Sequence, residues 1–319
     1  MSEALSVNFL GTTVYLYGLS VMLGCLLFML VLCFRTRKNE KQALAAGHTG
    51  LFSLILGFIL ARLMYVLLQP DYAPFLNLKN ALDVFSGGFA MYGALIGAVL
   101  AALLGAKLAG VNKAEMLDHL AVAIPAFLVP ARLGEGFTAL GISRPLTTQW
   151  LSQSFLAIKD EYDAYLRTYL LEAAVALLLF VLLWRFAKKV QKPGLVFIKF
   201  CLLYGITQTL MESLRYDGHL RYSFVGVQQV LSAALFSLTL VFMAVKLLKN
   251  PKTNKTLPLI SLIMVPVILL AIVGVEFLID RSEMGKLFSY ALYLLALAVP
   301  AVLGMLMLNM EVRLGQGID

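Results

Sequence analysis

Charged side chains are scarce in this sequence. Only 14% of its 319 residues are Asp, Glu, Lys or Arg, whereas 61% are hydrophobic, and the mean hydropathy is +0.86. Soluble domains carry about 25% charged residues, so the composition excludes an ordinary soluble protein and indicates one that lies in a lipid bilayer. The formal net charge of +8 does not indicate nucleic-acid binding, because the basic residues form short clusters between apolar segments.

Cysteine is also rare, and its spacing excludes the usual metal motifs. Cys25, Cys33 and Cys201 lie in apolar segments with neither CxxC spacing nor a nearby His cluster. We therefore expect buried small side chains, no metal site and no cofactor. No Lys or Arg precedes Arg35, so the basic segment of a secretory signal is missing. The first apolar segment is expected to be a retained membrane helix.

Nine segments are long and apolar enough to cross a bilayer, which takes roughly 20 residues. The predicted fold class is therefore all-α, a polytopic transmembrane helical bundle. The fourth segment contains two prolines and two charges, so we predict it to be either spanning or re-entrant. The predicted spans are 13–34, 50–69, 87–108, 119–140, 165–184, 195–215, 224–248, 257–279 and 288–308.

Lys and Arg cluster after the first, fifth and seventh spans, which fall on one side of the membrane if every segment crosses. Because such clusters mark the cytoplasmic side, we predict an outside N-terminus and a cytoplasmic C-terminus. The basic linker 246–256 separates seven helices from the last two. We predict a seven-helix membrane domain over residues 1–248 and a two-helix appendage over 249–319. The clusters contain Arg35, Arg37, Lys38 and Lys41; Arg185, Lys188, Lys189 and Lys192; Lys246, Lys249, Lys252 and Lys255.

Polar side chains from six predicted helices fall in one layer, the outer half of the membrane. Ionisable groups cost several kcal/mol in a bilayer unless paired or hydrated, so each is a candidate functional residue. Arg132 and Glu135 share a helix face, which permits an internal salt bridge instead of a catalytic role. Glu172 and Glu276 are interpreted as packing or interfacial residues. The candidate layer contains Tyr17, Arg62, Tyr92, Arg132, Glu135, Glu172, Gln208, Glu212 and Arg215.

A pocket lined by these groups suits an anionic lipid headgroup. Arginine presents a planar fork of donors to phosphate oxygens and keeps its charge when buried. Glu135 and Glu212 are expected either to orient the arginines or to accept a proton, because burial disfavours the charged form of a carboxylate. The residues leave open which of the two carboxylates acts as the base.

The same residues belong to short motifs that follow one another over roughly the first 245 residues. They read Leu16-Tyr17-Gly18-Leu19, Ala61-Arg62-Leu63-Met64-Tyr65-Val66-Leu67, Ser86-Gly87-Gly88-Phe89-Ala90-Met91-Tyr92-Gly93-Ala94-Leu95-Ile96-Gly97, Ala131-Arg132-Leu133-Gly134-Glu135-Gly136-Phe137, Tyr204-Gly205-Ile206-Thr207-Gln208 with Glu212-Ser213-Leu214-Arg215, and Gly226-Val227-Gln228-Gln229-Val230-Leu231-Ser232. No single motif is specific, but their order and spacing together resemble those of the prolipoprotein diacylglyceryl transferase family.

The resemblance implies seven helices with an outside N-terminus in a bacterial cytoplasmic membrane. It also implies transfer of a diacylglyceryl group from phosphatidylglycerol to the lipobox cysteine of a prolipoprotein. The expected partners are phosphatidylglycerol, lipobox peptides and membrane lipids; the oligomeric state is left open. We expect Arg132, Glu135 and Tyr92 to be catalytic. Tyr17, Arg62, Tyr204, Gln208, Glu212 and Arg215 are expected to bind substrate.

The sequence departs from the family pattern at several positions. Tyr92 stands where the family usually has His, Glu135 where it has Asn, and Gln208 where it has Arg. The alternative function is therefore a lipid-binding paralogue that acts as a scaffold or regulatory membrane partner. A lipid or solute transporter is the second alternative, for which helix breaks at matching positions in two halves are expected.

Overall fold

A computed structural model describes residues 5–9, 12–68, 87–218, 220–281 and 285–316. Within these ranges it contains nine helices long and apolar enough to cross a membrane. The all-α polytopic prediction is therefore confirmed. The helices are α1 (Leu16–Thr36), α2 (Glu40–Leu68), α3 (Met91–Ala109), α4 (Lys113–Gly134), α5 (Thr168–Ala187), α6 (Leu195–Leu214), α7 (Val227–Lys249), α8 (Thr256–Arg281) and α9 (Lys286–Gln316).

Two helices begin earlier than the hydropathy pattern predicts, because polar side chains cap their first turns. The Asn39 side chain accepts hydrogen bonds from the backbone N–H groups of Lys41 and Gln42, so α2 begins at Glu40 rather than near residue 50. Asn112 caps α4 in the same way through Ala114. A search for apolar segments misses such capping turns, because the residues of these turns are hydrophilic.

The fourth predicted span is one continuous helical segment. After Gly134, α4 tightens into a 3₁₀ turn, Glu135–Phe137, and the segment from residue 113 to 137 is long and apolar enough to cross a bilayer. Pro125 and Pro130 both lie inside α4.

Short strands, which the sequence pattern did not predict, lie between the helices. A hairpin of β1 (Ser6–Phe9) and β2 (Thr12–Tyr15) precedes α1. Between α4 and α5 an antiparallel sheet has the order β3-β5-β4, and a small hairpin, β6-β7, precedes α7. These strands are β3 (Ile142–Pro145), β4 (Ala157–Lys159), β5 (Ala164–Arg167), β6 (Arg221–Tyr222) and β7 (Val225–Gly226).

The chain divides into two compact units. The first consists of Met1–Trp184 and Arg215–Leu220, and the second of Arg185–Leu214 and Arg221–Asp319. The predicted boundary at residue 248 stays a prediction. Asp71, Lys79, Asp83, Ser86 and His219, which the sequence places in outer loops or motifs, lie outside the described residues.

Glycines allow the helices of the first unit to approach closely. A Cβ on Gly24 of α1 would lie 2.7 Å from the carbonyl oxygen of Phe127 in α4. A Cβ on Gly97 of α3 would lie 2.6 Å from the Gly57 backbone of α2. In a bilayer, where apolar contact alone does not drive helices together, such small-residue interfaces are a main source of association.

The second unit has an apolar core formed by α6 to α9. Phe236 and Leu240 of α7 and Tyr293 of α9 are fully buried in it. Gly205 of α6 packs against the α7 backbone, where an added Cβ would lie 2.8 Å from the backbone nitrogen of Phe236. Lys192 and Lys246 both pair with the buried carboxylate of Glu311 at the other end of α9.

Candidate functional site

The end of α4 supplies the first ion pair of the site. Arg132 Nη1 lies 2.6 Å from Glu135 Oε1, and both side chains are buried. The three-residue spacing in a helical turn brings them together, as the sequence indicates. α1 packs closely against this turn of α4. A Cβ on Gly134 would lie 2.4 Å from the Ser20 side chain and 3.4 Å from the Tyr17 ring. Tyr17 is thereby held beside the Arg132 turn.

Glu172 of α5 joins the pair and brings in a second arginine. Arg132 Nε lies 2.9 Å from Glu172 Oε2, and Arg215 Nη1 lies 2.7 Å from Glu172 Oε1. Arg215 Nη1 also lies 2.9 Å from Glu135 Oε2. Each of the two glutamates therefore bridges both arginines, and the four side chains form a closed cycle.

Asp217 completes this arrangement from the segment that follows α6. Its Oδ2 accepts hydrogen bonds from Arg215 Nη2 at 2.8 Å and Arg215 Nε at 3.2 Å. The same oxygen accepts a hydrogen bond from the backbone N–H of Gly141 at 2.5 Å, in the turn before β3. Arg215 is among the most deeply buried large side chains of the protein. We call Arg132, Glu135, Glu172, Arg215 and Asp217 the ion network.

The ion network is nearly balanced in charge. Two arginines and three carboxylates give a formal sum of −1, with side-chain exposures from 0% to 9%. Such groups are stable in a dry environment only as a hydrogen-bonded set, since an isolated buried charge costs several kcal/mol. The set therefore fixes the two guanidinium groups in position, and a change in the charge of one carboxylate alters the balance for both.

Arg62 also lies in the first unit, where its side chain donates hydrogen bonds to backbone carbonyl groups. Its Nη1 donates to the carbonyl oxygens of Gly87 and Gly88, the latter at 3.1 Å. Both glycines have φ near +75°, at 73° and 80°, where other residues are strained. The Gly-Gly pair of the third motif thus turns its carbonyl groups toward Arg62. Tyr92, the second residue of α3, is buried.

Three other predicted site residues lie in the second unit on α6. Gln208 Nε2 donates to Glu212 Oε1 at 3.3 Å, and both side chains are buried. Arg221 Nη2 donates to the Glu212 carbonyl oxygen at 3.2 Å. Tyr204 is buried and stacks on Phe200, with 5.3 Å between ring centroids.

The structure thus brings together Arg132, Glu135 and Arg215, with Tyr17 adjacent. It adds Glu172, which the sequence analysis interprets as a packing or interfacial residue, and Asp217, which lies two residues beyond the sixth predicted span. The two-residue spacing between Arg215 and Asp217 was the sequence signal that could have identified Asp217. Within the described ranges, no three His, Cys, Asp or Glu side chains are grouped as metal ligands.

In the part of the chain that the structure describes, nine helices long and apolar enough to cross a membrane, together with a buried network of arginines and carboxylates, define a polytopic helical membrane protein with a buried polar site. Residues 5–245 match the family model described as prolipoprotein diacylglyceryl transferase. The chain belongs to that family.

Relatives in several bacteria carry the name phosphatidylglycerol--prolipoprotein diacylglyceryl transferase. A protein of Clostridium botulinum strain Langeland is 27% identical over 236 residues, which cover 71% of this chain and 90% of the relative. A Clostridium tetani relative is 26% identical over 239 residues, covering 70% and 89%. A Pseudomonas putida relative is 29% identical over 190 residues, covering 56% and 69%. The match to the family model, over residues 5–245, includes the ion network and ends before α8.

Proposed function

We propose that the protein transfers a diacylglyceryl group from phosphatidylglycerol to the lipobox cysteine of a prolipoprotein in a bacterial cytoplasmic membrane. Family membership and the names of the relatives support the reaction class. The observation that carries the proposal is the ion network, because three residues of the family motifs, Arg132, Glu135 and Arg215, contact one another in it. The scaffold alternative has no support from the names of the relatives.

In this reaction the cysteine thiol loses its proton, and the thiolate sulfur forms a bond to a glycerol carbon of the lipid. The bond between that carbon and the phosphate oxygen breaks, and the electron pair leaves with glycerol phosphate. The product is a thioether. The protein must therefore accept one proton and stabilise negative charge that grows on the departing phosphate.

Glu135 is the proposed proton acceptor and Arg132 the proposed phosphate ligand. When Glu135 takes the thiol proton, the formal charge of the ion network rises from −1 to 0. The attraction between Glu135 and Arg132 Nη1 weakens, so that this guanidinium group is available to the phosphate as its negative charge grows. Proton uptake and phosphate stabilisation are then coupled through one hydrogen bond.

The remaining predicted residues have supporting roles in this proposal. Arg215 holds Glu135 and Glu172 on the opposite side of the cycle and balances the charge of Asp217. Tyr17 and Tyr92 line the lipid or peptide path in the first unit. Arg62 assists with the headgroup, while Tyr204, Gln208 and Glu212 bind substrate.

The direct test incubates the purified protein in detergent with phosphatidylglycerol and a lipobox peptide. We expect a diacylglyceryl mass gain on the peptide, none when its cysteine is replaced by serine, and none when phosphatidylcholine replaces phosphatidylglycerol. A mass gain on the serine peptide, or no gain with any lipid under conditions where a named relative is active, would contradict the proposal.

A further inference from the structure

The helices α8 and α9 lie beyond residue 245, where the family match ends. They nevertheless make specific polar contacts with α6, the helix that carries the motif residues Gln208 and Glu212. All of these contacts lie within the second unit. The positions of these polar contacts on α6 indicate what α8 and α9 do.

The first contact joins α6 to α8. Ser213 Oγ donates to Glu276 Oε2 at 2.8 Å, and both side chains are buried. Glu276 lies inside a membrane-spanning helix, where an ionisable side chain is costly unless it has polar partners. The hydrogen bond therefore constrains the distance and rotation of α6 relative to α8.

The second set of contacts joins α6 to α9. Tyr290 donates its hydroxyl to the Ser213 carbonyl oxygen at 3.0 Å. That carbonyl belongs to the last turn of α6, where carbonyl groups have no partner within the helix. Tyr293 accepts a hydrogen bond from Gln229 Nε2 of α7 at 2.8 Å, and its hydroxyl lies 3.5 Å from the Thr209 carbonyl oxygen. Tyr293 is fully buried.

The residues held in this way are the direct neighbours of the motif residues. Thr209 directly follows Gln208, and Ser213 directly follows Glu212. Thr209 and Ser213 are four residues apart, about one helical turn, as are Gln208 and Glu212. A rotation of α6 that moves Thr209 and Ser213 must therefore also move Gln208 and Glu212. Because interhelical hydrogen bonds in a bilayer restrict such rotations where apolar contact does not, the contacts at Thr209 and Ser213 set the direction of the Gln208 and Glu212 side chains.

We propose that α8 and α9 act as a brace for α6, with Glu276, Tyr290 and Tyr293 as positioning residues for Gln208 and Glu212. This inference rests on the proposed function only for its catalytic consequence. The brace itself concerns only the second unit, and amide hydrogen exchange measures it independently of transfer activity.

The test uses full-length Tyr290→Phe, Tyr293→Phe and Glu276→Leu, each of which removes polar contacts of the brace. Glu276→Gln is the conservative variant, because its side-chain oxygen can still accept from Ser213. Tyr162→Phe is the matched control, since Tyr162 is 89% exposed and lies outside the second unit. Amide hydrogen exchange over residues 205–216 is measured alongside kcat and KM for peptide transfer.

We expect faster exchange in this segment for the three variants, and a kcat about three- to tenfold lower, the size expected for loss of one interhelical hydrogen bond. The properties of Glu276→Gln should change little. Exchange equal to that of Tyr162→Phe overturns the brace. Faster exchange with unchanged kcat in an active enzyme overturns its positioning role.

The outcomes separate this inference from the proposed function. If the unaltered protein transfers nothing to the peptide, the proposed function fails, while the exchange rates still decide whether α8 and α9 hold α6. If transfer occurs and exchange is unaffected by all three substitutions, the brace fails and the proposed function stands.

Discussion

At the scale of single residues, the central feature is the sharing of carboxylates by Arg132 and Arg215. Glu135 and Glu172 each place one oxygen on each arginine. Removing one partner from a buried ion pair leaves the other charge without compensation, which costs more than the pair contributes to stability. Loss of one arginine would leave the ion network with a formal charge of −2, whereas loss of one carboxylate would leave it at 0, so the arginine substitutions are expected to be the more damaging.

Glu172→Gln removes one carboxylate charge without a change in side-chain shape. We expect the free energy of unfolding to fall by about 1.5–3 kcal/mol, because each guanidinium group loses a charge-assisted contact, while Glu135 and Asp217 still balance the two positive charges. Thermal or denaturant unfolding of the purified protein in detergent measures the change. Glu161→Gln, at an exposed position, should change stability by less than about 0.5 kcal/mol. Equal stabilities for the two variants would mean that Glu172 does not hold the arginines.

At the scale of elements, the turn before α3 shows how a motif becomes a structure. Gly87 and Gly88 both have positive φ, and their carbonyl groups point at Arg62. The backbone N–H of Ala90 donates to the Ala61 carbonyl oxygen at 2.9 Å, which ties the turn to α2. Arg62 and Gly87 are 25 residues apart in the sequence, and these hydrogen bonds connect the two motifs.

Gly88→Ala and Gly87→Ala form a matched pair for this turn. Both place an alanine in the left-handed region, which costs about 1–2 kcal/mol. Among the described residues, only the Gly88 substitution adds a clash: its Cβ would lie 2.2 Å from the Tyr65 ring, whereas no atom of these residues lies within 4 Å at Gly87. We expect a larger loss of thermal stability and of transfer activity for Gly88→Ala. Equal losses would show that backbone strain alone matters.

The sequence predicted the number of helices better than their ends or the short strands. Hydropathy identifies a span because about 20 apolar residues must cross the bilayer, but it is silent on a polar capping turn such as that at Asn39. The β3-β5-β4 sheet was missed because its strands have three or four residues, too few for a clear alternation of polar and apolar side chains.

The site was predictable in part for a similar reason. Arg132 and Glu135 share a helical turn, so their spacing alone indicates a contact. Asp217 lies two residues after Arg215, so that spacing also permits a contact. Glu172 meets the arginines only through the packing of α5. No local spacing encodes such contacts between distant segments.

At the scale of the whole molecule, the predicted site residues divide between two compact units. The first contains the ion network with Tyr17, Arg62 and Tyr92, and the second contains Tyr204, Gln208 and Glu212. A single cavity that includes all of them, and the outside location of the N-terminus, remain predictions from the sequence. The transferase proposal depends most on the ion network, because it contains both the proposed proton acceptor and the proposed phosphate ligand.

The most direct test of that dependence is the kcat for diacylglyceryl transfer by Arg132→Gln and Arg132→Lys, measured on protein that unfolds cooperatively in detergent. Lys38→Gln, at an exposed position, is the control. We expect Arg132→Gln to lower kcat by about 10²- to 10³-fold, the usual effect of removing one fixed donor to a developing anion. The lysine variant should recover only part of it, because one ammonium cannot reproduce the fork of the guanidinium group. Rates for both variants within about twofold of the Lys38→Gln control would contradict the account.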